Sequence, residues 1–262
     1  MRVINLSSGS KGNLTYIESM DKKIILDIGL SCQEACNRLD KCGISPQEID
    51  AIIITHEHSD HIKGLDIFSS RFNTPVYAHH TVWQGLDSKL VKVRIENRKH
   101  FEGDFSFGSL TISPIEVPHD VSCFSFSFLE NQNKISILTD LGHTNDRILN
   151  AIKGSQIVYL EANYDRDLLM KGTKYPYSLK RRIDGPNGHL SNLASSEVIE
   201  FLAKTGTRQV ILSHLSEENN SPLLAYKFIT NELSKKGIIE GQDIRIDVAT
   251  QNIGAFFRLK RQ

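Results

Sequence analysis

The sequence has no net charge of either sign and no long apolar run. Its 262 residues include 31 Lys and Arg against 31 Asp and Glu, so the formal net charge is zero. Its longest aliphatic stretches, such as Ile24–Leu26 and Ile52–Ile54, are far shorter than the roughly 18–20 residues that span a bilayer. This composition excludes a chain whose whole surface is a polycation for nucleic acid, and it predicts a globular protein with no membrane partner.

Paired cysteines and linkers are also lacking. The four cysteines form no CxxC motif, and the first residues contain no apolar segment of the kind found in a signal peptide. We therefore expect reduced thiols and a cytoplasmic location. No long Pro-, Ser- or Gly-rich linker divides the chain, so we expect one domain over residues 1–262. No feature of the sequence indicates a protein partner.

Short apolar runs alternate with helical patterns along the chain. The runs predict strands at Val3–Leu6, Leu14–Ile17, Lys23–Asp27, Ala51–Thr55, Val76–Ala78, Leu110–Glu116, Phe124–Leu129, Ile135–Thr139, Ile157–Glu161, Val210–Ser213 and Ile244–Val248. Helices are predicted at Ser31–Lys41, Ile62–Phe72, Asn145–Ile152, Leu193–Lys204 and Pro222–Lys236. Two mixed sheets flanked by helices would bury all these apolar faces, so the predicted fold is an α/β protein built as an αββα sandwich.

Ten histidines are present, and three of them fall in one short segment, Thr55-His56-Glu57-His58-Ser59-Asp60-His61. Imidazole and carboxylate groups suit zinc, manganese and iron. His56 and His58 alternate along an extended segment and point to one side, whereas Asp60 and His61 can point to a second position nearby. The spacing therefore fits two metal ions better than one. The alternative interpretation is a solvated polar loop.

Further candidate ligands come directly after three later strands: His119, Asp140 and His214. Loops at the edge of a sheet can aim such side chains into one cleft. An aspartate can also bridge two cations with its two oxygens. Each of these residues is a weak signal alone, but together with the first segment they complete two metal sites.

This pattern resembles the metallo-β-lactamase superfamily, a hydrolase fold with an HxHxDH motif, and the resemblance covers nearly the whole chain. It implies one ion held by His56, His58 and His119, a second held by Asp60, His61 and His214, and Asp140 bridging the two. It also implies that Asp27, at the end of an early strand, supports the metal loop. The cofactor would be two divalent ions per chain, of zinc, manganese or iron.

Two further strings resemble the branch of the superfamily that processes nucleic acids. Leu160-Glu161-Ala162 and Gly188-His189-Leu190-Ser191 are similar to elements that form a Glu–His pair near the metals in enzymes such as tRNase Z. By that resemblance Glu161 orients His189, His189 protonates the leaving oxygen, and Asp60 belongs to the catalytic residues as well as to the ligands. The alternative is that Glu161 is a structural hydrogen-bond partner and His189 a helix-start residue.

The whole combination is most similar to the YycJ family of bacterial metallo-hydrolases, also called WalJ or VicX. The matching strings are Ser7–Asn13, Asp27–Ser31, Arg181-Arg182, Gly188–Asn192 and Ser213–Asn220. The resemblance implies 5′→3′ exonuclease activity on DNA, manganese as the metal used for activity, and DNA ends as the binding partner.

Two segments are candidates for holding the substrate. The Gly/Ser loop with Ser10 and Asn13 can offer backbone N–H groups to a phosphate, although it fits a plain hairpin turn equally well. Lys180, Arg181 and Arg182 lie with several tyrosines just before His189, where cations could meet phosphates and rings could stack on bases. The alternative for this second segment is a solvated charged loop.

Three rival functions share the fold. A small-molecule or cyclic phosphodiesterase would use every catalytic residue named above, and an RNA nuclease would use the same metals. A glyoxalase II-like thioesterase fits less well, because its C-terminal helical extension is missing and it has no need of the Glu161–His189 pair.

Overall fold

The computed structural model describes residues 1–251 and 256–258. The chain forms two compact units. The first unit comprises residues 1–113 together with Gln251 and residues 256–258, and the second comprises residues 114–250. Each unit has its own buried apolar residues. The single domain expected over residues 1–262 stays a prediction.

The strands of the described residues are β1 (Arg2–Ser7), β2 (Leu14–Glu18), β3 (Lys23–Leu26), β4 (Ala51–Ile53), β5 (Val76–His79), β6 (Arg98–Phe101), β7 (Phe105–Phe107), β8 (Leu110–Val117), β9 (Cys123–Glu130), β10 (Asn133–Leu138), β11 (Ile157–Glu161), β12 (Gln209–Ser213), β13 (Arg245–Val248) and β14 (Phe256–Arg258). All eleven predicted strands are present. The prediction named no strand at β6, β7 or β14, which are only three or four residues long. Strand β6 also carries charged residues, and β7 has an exposed serine between two phenylalanines.

The helices are α1 (Cys32–Lys41), α2 (Ser59–Ile62), α3 (Leu65–Phe72), α4 (His80–Leu86), α5 (Asp146–Ile152), α6 (Arg166–Lys171), α7 (Tyr177–Ile183), α8 (Asn192–Lys204) and α9 (Pro222–Lys235). The predicted helix Ile62–Phe72 is divided at Lys63 and Gly64. A Cβ atom at Gly64 would lie 2.3 Å from the carbonyl oxygen of Leu30, so the chain passes close to the loop that precedes α1 at this point.

The first sheet has the strand order β14-β1-β2-β3-β4-β5-β6. The pairs β3–β4, β4–β5 and β5–β6 are parallel, and the others are antiparallel. Parallel strands buried on both faces are continuous apolar runs, as Ala51-Ile52-Ile53 is in β4. Because β3 to β6 are parallel, the loops after them leave the sheet at one edge. That edge carries Asp27 and the segment Thr55–His61.

The second sheet has the order β13-β12-β11-β10-β9-β8-β7, and the boundary between the two units falls inside β8. Strands β10 to β13 are parallel to one another, whereas β9 pairs with β10 in the antiparallel sense. The carboxyl ends of β10, β11 and β12 therefore lie side by side. Asp140, Glu161 and His214 stand at or just beyond these three ends.

Helix faces explain how the sheets are covered. Helix α1 begins at the capping residue Ser31, and its buried residues Cys32, Ala35, Cys36 and Leu39 recur at helical spacing. In the second unit, α5, α8 and α9 bury apolar residues such as Ile148, Ile199 and Ile229 in one cluster with the strands. None of the helices in the described part of the chain combines the length and apolar character that crossing a bilayer requires.

Candidate metal centre and catalytic residues

The segment Thr55–His61 leaves β4 and forms a tight turn into α2. His56 and His61 are completely buried, with ring centroids 4.1 Å apart, and the His58 ring lies 4.6 Å from that of His56. The Asp60 carboxylate oxygen Oδ2 lies 3.6 Å from Nε2 of His61. The first unit therefore brings together the four ligands that were predicted from this segment.

Asp27 holds this turn through both of its oxygens. Oδ1 accepts a hydrogen bond from the backbone N–H of Thr55 at 2.9 Å, and Oδ2 accepts from the Thr55 hydroxyl at 2.9 Å and from Nδ1 of His61 at 2.7 Å. A histidine that donates through Nδ1 keeps the lone pair of Nε2 for a metal ion. The position of Asp27 agrees with the supporting role that the family resemblance implied.

Thr55 is a functional residue that the sequence reasoning missed. Its hydroxyl oxygen lies 2.9 Å from Nδ1 of His56. The hydroxyl can therefore accept a hydrogen bond from Nδ1–H of His56 while it donates a hydrogen bond to Asp27. The ring of His56 is thereby oriented in the same way as that of His61. A hydroxyl residue placed between an apolar strand and the first histidine was the only signal in the sequence.

The loop between β1 and β2 packs against the metal-ligand turn. The backbone N–H of Asn13 donates to the carbonyl oxygen of Asp60 at 2.8 Å, and a Cβ atom at Gly29 would lie only 1.6 Å from that same oxygen. Oδ1 of Asn13 accepts a hydrogen bond from the N–H of Gly9 at 3.0 Å. Nδ2 of Asn13 lies 3.0 Å from Nε2 of His61. Asn13 is thus buried behind the ligands, whereas Ser10 is exposed on the same loop.

Glu161 is the centre of the second unit's polar cluster. Its Oε1 accepts from Nδ1 of His189 at 2.8 Å and from Nδ1 of His214 at 2.7 Å. Its Oε2 accepts from the backbone N–H groups of Leu141 and Leu190 at 3.0 and 3.2 Å. All four contacts come from N–H donors, and the side chain is completely buried. Four donors around one carboxylate fix both imidazoles with Nε2 turned away from Glu161.

The remaining predicted residues of the second unit surround this centre. Asp140 Oδ1 lies 3.5 Å from Nδ1 of His214 and 3.8 Å from Nδ1 of His189. The ring of His189 is 5.4 Å from that of His119 and 5.4 Å from that of His214. Nδ1 of His119 faces the carbonyl oxygen of Gly188 at 3.3 Å. The second unit therefore brings together His119, Asp140, His214 and the Glu161–His189 pair.

Backbone strain marks three of these positions. Asp27, Asp140 and His214 have φ angles of 57°, 59° and 53°, in the left-handed region that side chains rarely occupy. Each residue lies one or two positions after the end of a strand, where the left-handed conformation changes the direction of the chain. Residues held in this conformation concentrate at functional sites.

Charge and burial set the pKa values of the second cluster. Burial favours the neutral form of Glu161, but the charges of His189 and His214 and the hydrogen bonds from them outweigh it and lower its pKa to about 2. Burial lowers the pKa of His189, yet the Glu161 carboxylate outweighs burial and raises it above its usual range. Burial lowers the pKa of His119, which favours the neutral ring that a metal ligand must have. The surroundings therefore favour the protonated ring at His189 and the neutral ring at His119.

The predicted basic segment is less open than its sequence indicates. Nζ of Lys180 donates to the carbonyl oxygens of Met170 and Gly172 at 2.8 and 2.5 Å, and Arg182 forms an ion pair with Asp120. Arg181 is exposed, and no hydrogen bond or ion pair is found for it within residues 1–251. Of the three predicted cations, Arg181 is therefore the one whose charge is directed to solvent.

The donor set fits divalent transition ions. Four histidines, His56, His61, His119 and His214, each turn Nδ1 toward an oxygen of the protein, which makes Nε2 the atom that could coordinate an ion. Nε2 of His61 lies 3.0 Å from Nδ2 of Asn13, and Nε2 of His119 lies 3.2 Å from Oδ1 of Asp120, so an ion would replace these two contacts. Imidazole nitrogens and carboxylate oxygens are ligands that zinc, manganese and iron accept.

Sequence similarity to known proteins identifies the family. Residues 23–215 match the family described as "Beta-lactamase superfamily domain". Exodeoxyribonuclease WalJ of Streptococcus pneumoniae serotype 2 (strain D39) is 34% identical over 92% of this chain and 91% of its own length. Exodeoxyribonuclease YycJ of Bacillus anthracis is 32% identical over 92% of each chain.

A solved structure agrees on the fold. The metallo-β-lactamase fold protein YhfI from Bacillus subtilis superposes with a TM-score of 0.73 over 98% of this chain and 99% of its own, at 14% identity. The predicted fold class is thus confirmed. The chain belongs to the metallo-β-lactamase superfamily and, within it, to the family of the exodeoxyribonucleases WalJ and YycJ.

Proposed function

We propose that this metal-dependent hydrolase is an exodeoxyribonuclease that cleaves phosphodiester bonds from the 5′ end of DNA. The similarity to enzymes named exodeoxyribonuclease, which extends over 92% of the chain, carries the proposal. The two clusters of oriented histidines and carboxylates support it, because they are the residues that hydrolysis of a phosphodiester needs. The 5′→3′ direction and the preference for DNA over RNA rest on the family resemblance. We also propose a cytoplasmic location, because the four cysteines are free thiols.

The proposed ligands are the seven residues predicted from the sequence. One ion would be held by His56, His58 and His119, the other by Asp60, His61 and His214, with Asp140 shared. Two bound divalent ions would supply Lewis-acid activation of a water and neutralise charge on the phosphate. Manganese is the ion we expect to support activity, and zinc and iron suit the same ligands.

His189 is the proposed general acid. Glu161 accepts a hydrogen bond from Nδ1–H of His189, so a second proton on the ring would reside on Nε2, which faces away from Glu161. The Glu161 carboxylate outweighs burial and raises the pKa of His189, which favours the doubly protonated ring. The leaving 3′-oxygen of a phosphodiester needs one proton, and a ring whose side chain is 22% exposed can deliver it.

The DNA strand would be bound by the exposed residues near this acid. Arg181 can meet a phosphate, and the ring of Tyr177 is 72% exposed and can stack on a base. Lys180 and Arg182 contribute their charge only if they give up their present partners. We expect Arg181→Ala to reduce the slope of log affinity against log salt by about one, whereas Lys180→Ala should change the slope less.

The decisive assay offers four substrates to the purified protein in the presence of manganese or zinc: duplex DNA, RNA of the same sequence, a cyclic nucleotide and a thioester. Duplexes labelled at the 5′ end and at the 3′ end separate the two directions, and early release of labelled mononucleotide from the 5′-labelled duplex is the expected result. Preferential cleavage of RNA, of the cyclic nucleotide or of the thioester would replace the proposal with the corresponding rival function.

A pair of variants tests the role of His189. We expect His189→Asn to slow turnover by roughly 10²–10⁴-fold while the bound metal is retained. His143→Asn is the matched control, because His143 is an exposed histidine of the same unit. Equal turnover in the two variants would remove His189 from the mechanism.

A further inference from the structure

A second cluster of metal-ligating side chains lies in the first unit, outside the seven predicted ligands. It consists of His79, the last residue of β5, His80, the first residue of α4, and Glu102, which follows β6. Nδ1 of His80 lies 2.9 Å from both carboxylate oxygens of Glu102, and Nε2 of His79 lies 3.4 Å from Oε2. All three residues offer a ligand atom within 4.8 Å of the others.

The backbone fixes this arrangement. Strands β5 and β6 are parallel, and His79 pairs with Phe101 in the sheet register. Glu102 therefore leaves β6 at the same sheet edge where His80 leaves β5. The three side chains meet because the ends of β5 and β6 lie beside each other. The backbone therefore brings them together, and no exposed side chain has to rotate first.

The distances suit coordination of a small cation. With bonds of about 2.0–2.2 Å to imidazole and carboxylate, tetrahedral geometry places neighbouring ligand atoms about 3.4 Å apart. The 3.4 Å between His79 and Glu102 equals this value, whereas the 2.9 Å between His80 and Glu102 is a hydrogen-bond length that would widen when an ion enters. Two imidazoles and one carboxylate form a donor set typical of zinc, with a fourth position left for water. A phosphate is a poorer match, because the Glu102 carboxylate would repel it.

Thr81 fixes the orientation of the His79 ring. As the cap of α4, Nδ1 of His79 accepts a hydrogen bond from the Thr81 backbone N–H at 3.3 Å, and it lies 2.8 Å from the Thr81 hydroxyl. Nε2 therefore faces Glu102. An ion bound at Nε2 would move the ring proton to Nδ1, from which the Thr81 hydroxyl can accept a hydrogen bond in place of the backbone contact.

Solvent access completes the site. The side chain of His79 is 13% exposed, whereas those of His80 and Glu102 are 49% and 67% exposed. One ligand is thus held firmly by the fold while two face the solvent from which an ion enters. We propose that His79, His80 and Glu102 form an auxiliary binding site for a divalent transition ion, with zinc as the closest match.

Zinc binding to the full-length protein tests this site. Wild type, Glu102→Gln and His80→Asn are equilibrated with buffered Zn²⁺ at neutral pH, and zinc per chain is measured by mass spectrometry over a range of free concentrations. His100→Asn is the matched control, because His100 is an exposed histidine on β6 that is not part of the cluster. Both test positions are on the surface, and near-ultraviolet circular dichroism verifies that each variant is folded.

We expect wild type and His100→Asn to bind one more zinc per chain than either test variant at the same free concentration. The affinity for that zinc should fall by at least the roughly 10–100-fold that follows loss of a supporting partner. Because the result is a difference between variants, it does not depend on how many ions the seven predicted ligands bind or on any nuclease activity. Zinc binding by Glu102→Gln and His80→Asn that equals wild type in amount and affinity would overturn the proposal, as would an equal loss in His100→Asn.

Discussion

Replacing Glu161 with glutamine should disable metal binding without removing a ligand. The carboxylate accepts four N–H groups, from His189, His214, Leu141 and Leu190. Glutamine offers one oxygen and one NH₂ group, and NH₂ cannot accept a hydrogen bond. The two backbone N–H groups cannot change, so the oxygen should turn toward them and the NH₂ group toward the two imidazoles.

Two responses of the rings are possible, and both weaken metal binding. If His189 and His214 keep their Nδ1 protons, two buried donors lose their acceptor, at a cost of ~1–3 kcal/mol each in the free energy of unfolding. If the rings shift their protons to Nε2, the hydrogen bonds recover but His214 loses the lone pair that coordinates an ion. In either case we expect metal affinity to fall by roughly 10–100-fold or more.

Competition with a chelator measures the metal affinity of Glu161→Gln, and ¹⁵N chemical shifts of the imidazoles in the metal-free protein report which nitrogen carries the proton. Glu116→Gln serves as control, because Glu116 is an exposed glutamate of the same unit. Unchanged affinity together with Nδ1-protonated rings would refute the reasoning that Glu161 sets the tautomer of both histidines.

Two further substitutions test the first unit. Asp27→Asn should keep the backbone conformation, since asparagine tolerates a positive φ, but the NH₂ group of asparagine would face His61 or Thr55. Metal affinity, measured by the same competition with a chelator, should fall by roughly 10–100-fold. An unchanged affinity would show that Asp27 does not orient His61. The Arg38 guanidinium lowers the pKa of Glu34 below its ordinary value of 4.5, so this pair stabilises the folded state above that pH, and its contribution is lost as the pH falls through the lowered pKa. In urea titrations Glu34→Gln should therefore be less stable than wild type at pH 6, with the difference shrinking as the pH falls below 4.5, and a difference that does not shrink would contradict the assignment.

Continuous apolar runs made most of the fold predictable from the sequence. Strands such as β11, with all five residues buried, can be recognised because a parallel strand covered on both faces is an apolar run, here Ile157–Leu160, before it ends at Glu161. Strand β6 was missed because Arg98, Lys99 and His100 give no apolar run, and within the described part of the chain its strand partner is β5. Pairing partners are distant in sequence, so a single chain read locally does not disclose them.

The candidate site, too, has residues that could be predicted from the sequence and contacts that could not. The HxHxDH segment was evident because its ligands are neighbours in sequence, and the Glu161–His189 pair was found through a resemblance. The contacts of Thr55 and the central position of Glu161 between His189 and His214 could not be predicted, because they join residues from separate strand ends. The sequence also made the charges of Lys180–Arg182 look more available to a substrate than they are. Their partners, Asp120 and two backbone carbonyl oxygens, come close only when the chain folds.

The left-handed backbone at Asp140 has a consequence for anyone who engineers this enzyme. Aspartate, asparagine and glycine adopt a φ of 59° more readily than other residues, for which this conformation costs about 1–2 kcal/mol. A library randomised at this position is therefore expected to yield well-folded protein mainly with these three residues. Asparagine and glycine are accordingly the substitutions that report on the carboxylate itself and not on the backbone.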